Sequence, residues 1–183
     1  MFKYRFLILL IVLMLPVAGC LWYEKLDVDK NSEKYNNAGL ELLEKEDYNA
    51  AIKSFKKAIE IKTNFPEAYN NICWTYALMQ EYEKALPNCE KALDLKPGEA
   101  KIIDSIAFTY AGMGEIDKAI YFYKKAISAN PDIADFYFRL AEVYETKGEL
   151  KQAIENFQMA QKLNPDFKNR VESRINKLDK TNQ

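Results

Sequence analysis

The chain has 183 residues, enough for one domain with a sizeable core, and its 49% apolar content excludes a disordered polymer. With 26 Lys and Arg against 27 Asp and Glu the formal net charge is −1, so no global basic field points to nucleic acid as a partner. Histidine is absent, which removes the commonest general base and the commonest metal ligand together.

The amino terminus, MFKYRFLILLIVLMLPVAGC, holds Lys3 and Arg5 as its only charges, an unbroken apolar run from Phe6 to Leu15, and the small residues Ala18 and Gly19 before Cys20. A positive start, a short apolar run and small residues before a cut describe a secretory signal peptide over residues 1–19. The alternative is an uncleaved signal anchor. The 18 residues from Phe6 to Tyr23 carry no charge and just reach the lower limit for spanning a bilayer. Pro16 and Gly19, both poor helix continuers, interrupt the end of that run. The stretch Val17-Ala18-Gly19-Cys20 resembles the lipobox of bacterial lipoproteins. That resemblance implies that Cys20 becomes the first mature residue and carries a lipid, such as palmitate, that holds the protein to a membrane. Lys3 and Arg5 stay cytoplasmic in either reading, so the remainder is expected on the extracytoplasmic side of the cell envelope. In lipoprotein families where Asp after the cysteine retains the protein at the inner membrane, Leu21 points instead to the outer membrane of a two-membrane bacterium. Removing Lys3 and Arg5 from the count leaves 24 basic residues against 27 acidic ones, about −3 for the mature chain. Residues 20–31 are expected to form a short tether.

Four windows then repeat, over 32–65, 66–99, 100–133 and 134–167. Ala51, Ala85, Ala119 and Ala153 are spaced by 34, and a second alanine follows each by seven residues, at Ala58, Ala92, Ala126 and Ala160. Upstream recur Tyr35, Tyr69, Ile103 and Tyr137, then the small residues Gly39, Cys73, Ala107 and Ala141, then Leu42, Tyr76, Tyr110 and Tyr144. Within each window apolar residues recur at i, i+3, i+4 and i+7 over two stretches of about 14 residues, which predicts a pair of amphipathic helices. Short connections make each pair antiparallel, and the alanines mark crossings where only a Cβ fits. Pro87 is expected in the first turn of its helix, where a missing N–H does little harm. Phe167, Val171, Ile175 and Leu178 form one stripe after the last window, which predicts a polar-backed capping helix and tail over 168–183.

The 34-residue period and the order aromatic, small, Tyr, Ala, Phe, Pro resemble the tetratricopeptide repeat. The resemblance covers 32–167 and implies an all-α, α-α superhelix of four helix-turn-helix repeats with a concave groove lined by the first helix of each pair. Leu42 and Thr63 depart from the pattern in the first window, as do Cys73 and Cys89 in the second. An oxidising compartment allows those cysteines to bridge, but two small reduced side chains in the core are the favoured expectation.

No phosphate-binding loop, zinc-protease or nucleophile-elbow pattern occurs, so neither an enzyme, a metal site nor a cofactor is expected. Some tetratricopeptide domains clamp the acidic tails of cytosolic chaperones with two Lys, two Asn and an Arg. The matching places here hold Asn36, Leu40, Asn71, Lys101 and Ser105, and only Asn71 and Lys101 fit. The groove instead carries Leu40, Trp74 and Phe108 in one column, beside Leu78, Phe138 and Arg139. Acids such as Glu67, Asp104 and Glu142 surround them. These residues define an expected partner-binding groove, and the chain is expected to act as a membrane-anchored scaffold that docks other envelope proteins or peptide segments. The alternative is a holdase or carrier for apolar or lipid-linked clients.

Overall fold

Each amphipathic stretch becomes a helix in the computed structural model, which describes residues 27–181. The expected signal peptide, Cys20 and the first part of the expected tether lie outside the described residues. Helix α1 spans 27–44, followed by α2 (Tyr48–Ile61), α3 (Pro66–Leu78), α4 (Tyr82–Leu95), α5 (Ala100–Gly112), α6 (Ile116–Ala129), α7 (Ala134–Lys147) and α8 (Leu150–Leu163). A single 3-10 turn, Pro165–Phe167, leads into α9 (Lys168–Thr181). Among the described residues there is no strand.

The chain divides into two compact units after Phe65. The first contains the α1–α2 hairpin. Helix α1 is already formed at residue 27, so 27–31 belong to it and not to a tether. Local polar contacts account for the early start: Asn31 donates to the Asp27 carboxylate at 3.1 Å, Ser32 donates to the Asp29 carbonyl at 2.8 Å, and Lys62 of the hairpin pairs with Asp29 at 2.8 Å. Asp47 caps α2 by accepting from the Ala50 N–H at 3.2 Å.

The second unit stacks three hairpins, α3–α4, α5–α6 and α7–α8, with α9 closing the end. First helices α3, α5 and α7 adjoin one another in one layer, and each second helix also packs on the first helix of the next hairpin. The eight repeat alanines are fully buried in the two units, as helix crossings at Cβ distance require. Phe167, Val171 and Leu178 are buried and Ile175 packs beside them, so α9 covers what would otherwise be an open solenoid end.

The turn inside each hairpin needs one left-handed residue. It falls at Glu46 (φ 59°), Gln80 (φ 60°), Gly114 (φ 78°) and Gly148 (φ 81°), again 34 apart. Glycine meets that demand at no steric cost in the last two hairpins, whereas Glu46 and Gln80 adopt it against their preference. Pro87 corrects its expected place. Helix α4 starts at Tyr82, so the proline is the sixth helical residue, past the first turn, and the Glu83 carbonyl loses its usual i+4 partner.

Candidate inner-face site

Repeat spacing puts Trp74 on α3 and Phe108 on α5 at equivalent positions, and the stacking of those helices brings their rings to 4.7 Å between centroids, tilted by 36°. Both rings are half-buried. Arg139 on α7 reaches back across the layer. Its guanidinium lies 4.8 Å from the Trp74 centroid and 5.8 Å from that of Phe108, and Nη1 donates to Oδ2 of Asp104 in a close ion pair. One side chain therefore ties together three successive repeats.

Asp104 is only 6% exposed as a residue and 9% at its side chain. Burial pushes its pKa above the ordinary carboxylate value, with Arg139 pulling the other way. Burial works against the Arg139 charge, yet Asp104 more than offsets it, and the guanidinium is held above its ordinary value. Burial and the nearby Asp104 charge also push the Tyr123 phenol up, so that buried ring stays neutral. Around this pair Ser105 and Thr109 donate to the carbonyls of Lys101 and Ser105, at 3.1 and 2.8 Å, and Thr75 donates to the Asn71 carbonyl at 2.6 Å. The inner layer thus satisfies its buried hydroxyls within its own helices.

Of the expected groove residues, the structure gathers Trp74, Phe108 and Arg139. Asn71 and Leu78 are half-buried on α3, and Lys101 is exposed on α5. Leu40 is 37% exposed on α1, in the other unit. Phe138 is a correction. It is 4% exposed, wedged against Phe157 and Phe167 at 5.2 and 5.1 Å, with the Arg170 guanidinium 4.2 Å from its ring. The capping segment occupies the space a fifth repeat would take, which converts a groove position into core. Arg139 keeps a quarter of its side chain exposed while it clamps Asp104 and the two rings.

The cysteines are a second correction. Cys73 and Cys89 form a disulfide with Cα atoms 5.2 Å apart, joining α3 to α4 at the residue before Trp74. The signal for it lay in the repeat columns. In the first hairpin the residues equivalent to Cys73 and Cys89 are Gly39 and Phe55, and a Cβ on Gly39 would stand 2.4 Å from the Phe55 ring. Those two columns touch, so two cysteines placed on them face each other.

Antiparallel helix pairs stacked with a 34-residue period define a helical-repeat solenoid protein. Models of the tetratricopeptide repeat match residues 66–99 and 134–167, and a second TPR-repeat model matches 39–80 and 107–148. The chain belongs to the tetratricopeptide-repeat family. A comparison with curated protein sequences gives no match. Among solved structures it is similar to MamA from Desulfovibrio magneticus RS-1, at 23% identity and TM-score 0.64 over 74% of this chain and 76% of that one. It is also similar to pilF of Pseudomonas aeruginosa, at 19% identity and TM-score 0.75 over 83% and 69% of the two chains. A third is the first TPR of Spaghetti (RPAP3) bound to the HSP90 peptide SRMEEVD, at 14% identity and TM-score 0.61 over 66% and 95%. At these identities the likeness is one of fold.

Proposed function

We propose that this protein is a lipid-anchored scaffold on the extracytoplasmic side of a bacterial cell envelope, and that it docks a partner segment on the inner face of its first helices. The observation that carries the docking reading is the half-buried Trp74–Phe108 pair, since aromatic side chains left partly open on a rigid layer are what interaction hot spots are made of. A neighbour of the same fold holds a peptide. The extracytoplasmic reading is supported by the Cys73–Cys89 disulfide, because such bonds persist in oxidising compartments.

Capture from cross-linked envelopes, with wild-type chain beside a Trp74→Ala/Phe108→Ala variant, tests the docking face. One protein recovered by the wild type and reduced about tenfold with the folded variant is the expected result. Equal recovery by both would sink the reading, and recovery of many unrelated proteins would favour a holdase instead. The anchor has its own test. Cys20→Ser is expected to accumulate a precursor 19 residues longer that takes up no labelled palmitate. Equal labelling of wild type and variant rules lipidation at Cys20 out.

A further inference from the structure

Beneath the aromatic pair the inner layer holds more acceptors than it fills. Asp104 Oδ2 takes the Arg139 guanidinium, but Asp104 Oδ1 is buried with no hydrogen-bond partner among the described residues. So is Oδ1 of Asn70, which occupies the equivalent place one repeat earlier. Each lies one helical turn before a ring of the pair, Asn70 before Trp74 and Asp104 before Phe108. Buried acceptors left open are costly, and a carboxylate has room for a second donor. The charges facing Asp104 and Arg139 include Asp135 and Glu142, with Glu142 already paired to Arg174 at 2.9 Å. Asp104 and Asp135 against Arg139 leave one negative charge over. Arg139 itself is the layer's own example of what this place accepts: a guanidinium over an indole that also donates to a carboxylate.

We infer that the partner docked on this face presents an arginine or lysine between apolar residues, and that this cation joins Arg139 at Asp104 while its apolar neighbours cover Trp74 and Phe108. Arg139 keeps about a quarter of its side chain open to solvent, so it forms the outer lip through which the second cation arrives. The inference rests on the docking reading above and specifies the chemistry of the segment that docks. An acidic tail of the kind bound by the chaperone-binding members of the fold is thereby excluded, because it would meet like charge.

The experiment is calorimetric titration of the full chain with three blocked pentapeptides in which leucine alternates with arginine, glutamine or glutamate. The arginine peptide is expected to bind at least about tenfold more tightly than the glutamate peptide, the strength of a desolvated cation–π contact with charge support. An Asp104→Asn/Arg139→Gln variant, which leaves no lone buried charge and whose fold is checked by circular dichroism, is expected to lose that preference. Equal binding of the three peptides, tighter binding of the glutamate one, binding of none, or a preference that survives in the double variant overturns the inference. If the Trp74→Ala/Phe108→Ala chain loses its envelope partner while no arginine preference is seen, docking stands and only the cation falls. If that chain keeps its partner, both fall.

Discussion

Replacing Arg139 with alanine is expected to destabilise the fold by about 3–5 kcal/mol, the range for removing one partner of a buried ion pair. The magnitude follows from what is left behind. Asp104 is 6% exposed, and without Arg139 its charge has neither counter-ion nor water. The ring contacts to Trp74 and Phe108 are lost in the same step. Two other ion pairs are far more open: Lys168–Glu172 and Lys118–Glu115 have every side chain at least half exposed. Breaking one of those is expected to cost less than about 1 kcal/mol. Urea unfolding of the Arg139→Ala and Lys168→Ala variants side by side measures the contrast. A loss below about 1 kcal/mol for Arg139→Ala would mean that the pair is not buried as described.

The same substitution carries a pH signature. Asp104 already has a pKa raised by burial, and removing Arg139 removes the influence that lowers it, so the folded value rises further. A carboxyl whose folded pKa exceeds its unfolded one contributes stability that is complete below the unfolded value, near 3.9, and is lost as pH rises through the folded value. The destabilisation of Arg139→Ala is therefore expected to be largest at neutral pH and to shrink on acidification towards the ordinary carboxylate range, as Asp104 takes up a proton. An Asp104→Asn/Arg139→Ala chain should show no such recovery. If both variants respond to pH alike, Asp104 is not the group responsible.

The architecture was legible in the sequence because it repeats. The 34-residue spacing of alanines, the paired amphipathic stretches and the stripe Phe167, Val171, Ile175 and Leu178 are statements about helix faces, and a face is a local property. The site was only half legible, because it depends on contacts between repeats. Trp74 and Phe108 could be stacked by arithmetic, since equal positions on successive first helices fall in line. Arg139 reaching Asp104 across 35 residues, with no apolar periodicity to announce it, could not. Phe138 reads as a groove residue until the capping segment is placed on top of it, and no spacing rule says where a cap sits. The left-handed Glu46 and Gln80 hid for a simpler reason, since neither residue type signals a turn.

The disulfide yields the last prediction. Its two cysteines lie 16 positions apart in sequence, so a Cys73→Ala/Cys89→Ala chain is expected to be less stable than wild type by about 3 kcal/mol, mostly through a less restricted unfolded state. Both sulfurs are fully buried, so two alanines also thin the packing between α3 and α4. Thr109 Oγ1 lies 3.8 and 4.0 Å from the two sulfurs, but its hydroxyl donates to the Ser105 carbonyl, so no hydrogen-bond donor is stranded when they go. Because Trp74 follows Cys73 directly, freeing α3 from α4 should also loosen the Trp74–Phe108 contact. Tryptophan fluorescence of the folded variant is expected to report a more exposed ring, and a Trp22→Phe background isolates that signal. Protein isolated from its native cells and alkylated in denaturant without reductant should leave Cys73 and Cys89 unlabelled, with both labelled after reduction. Labelling of both cysteines before reduction would show that the bond is absent in the native compartment, and would remove the support it lends to an extracytoplasmic location.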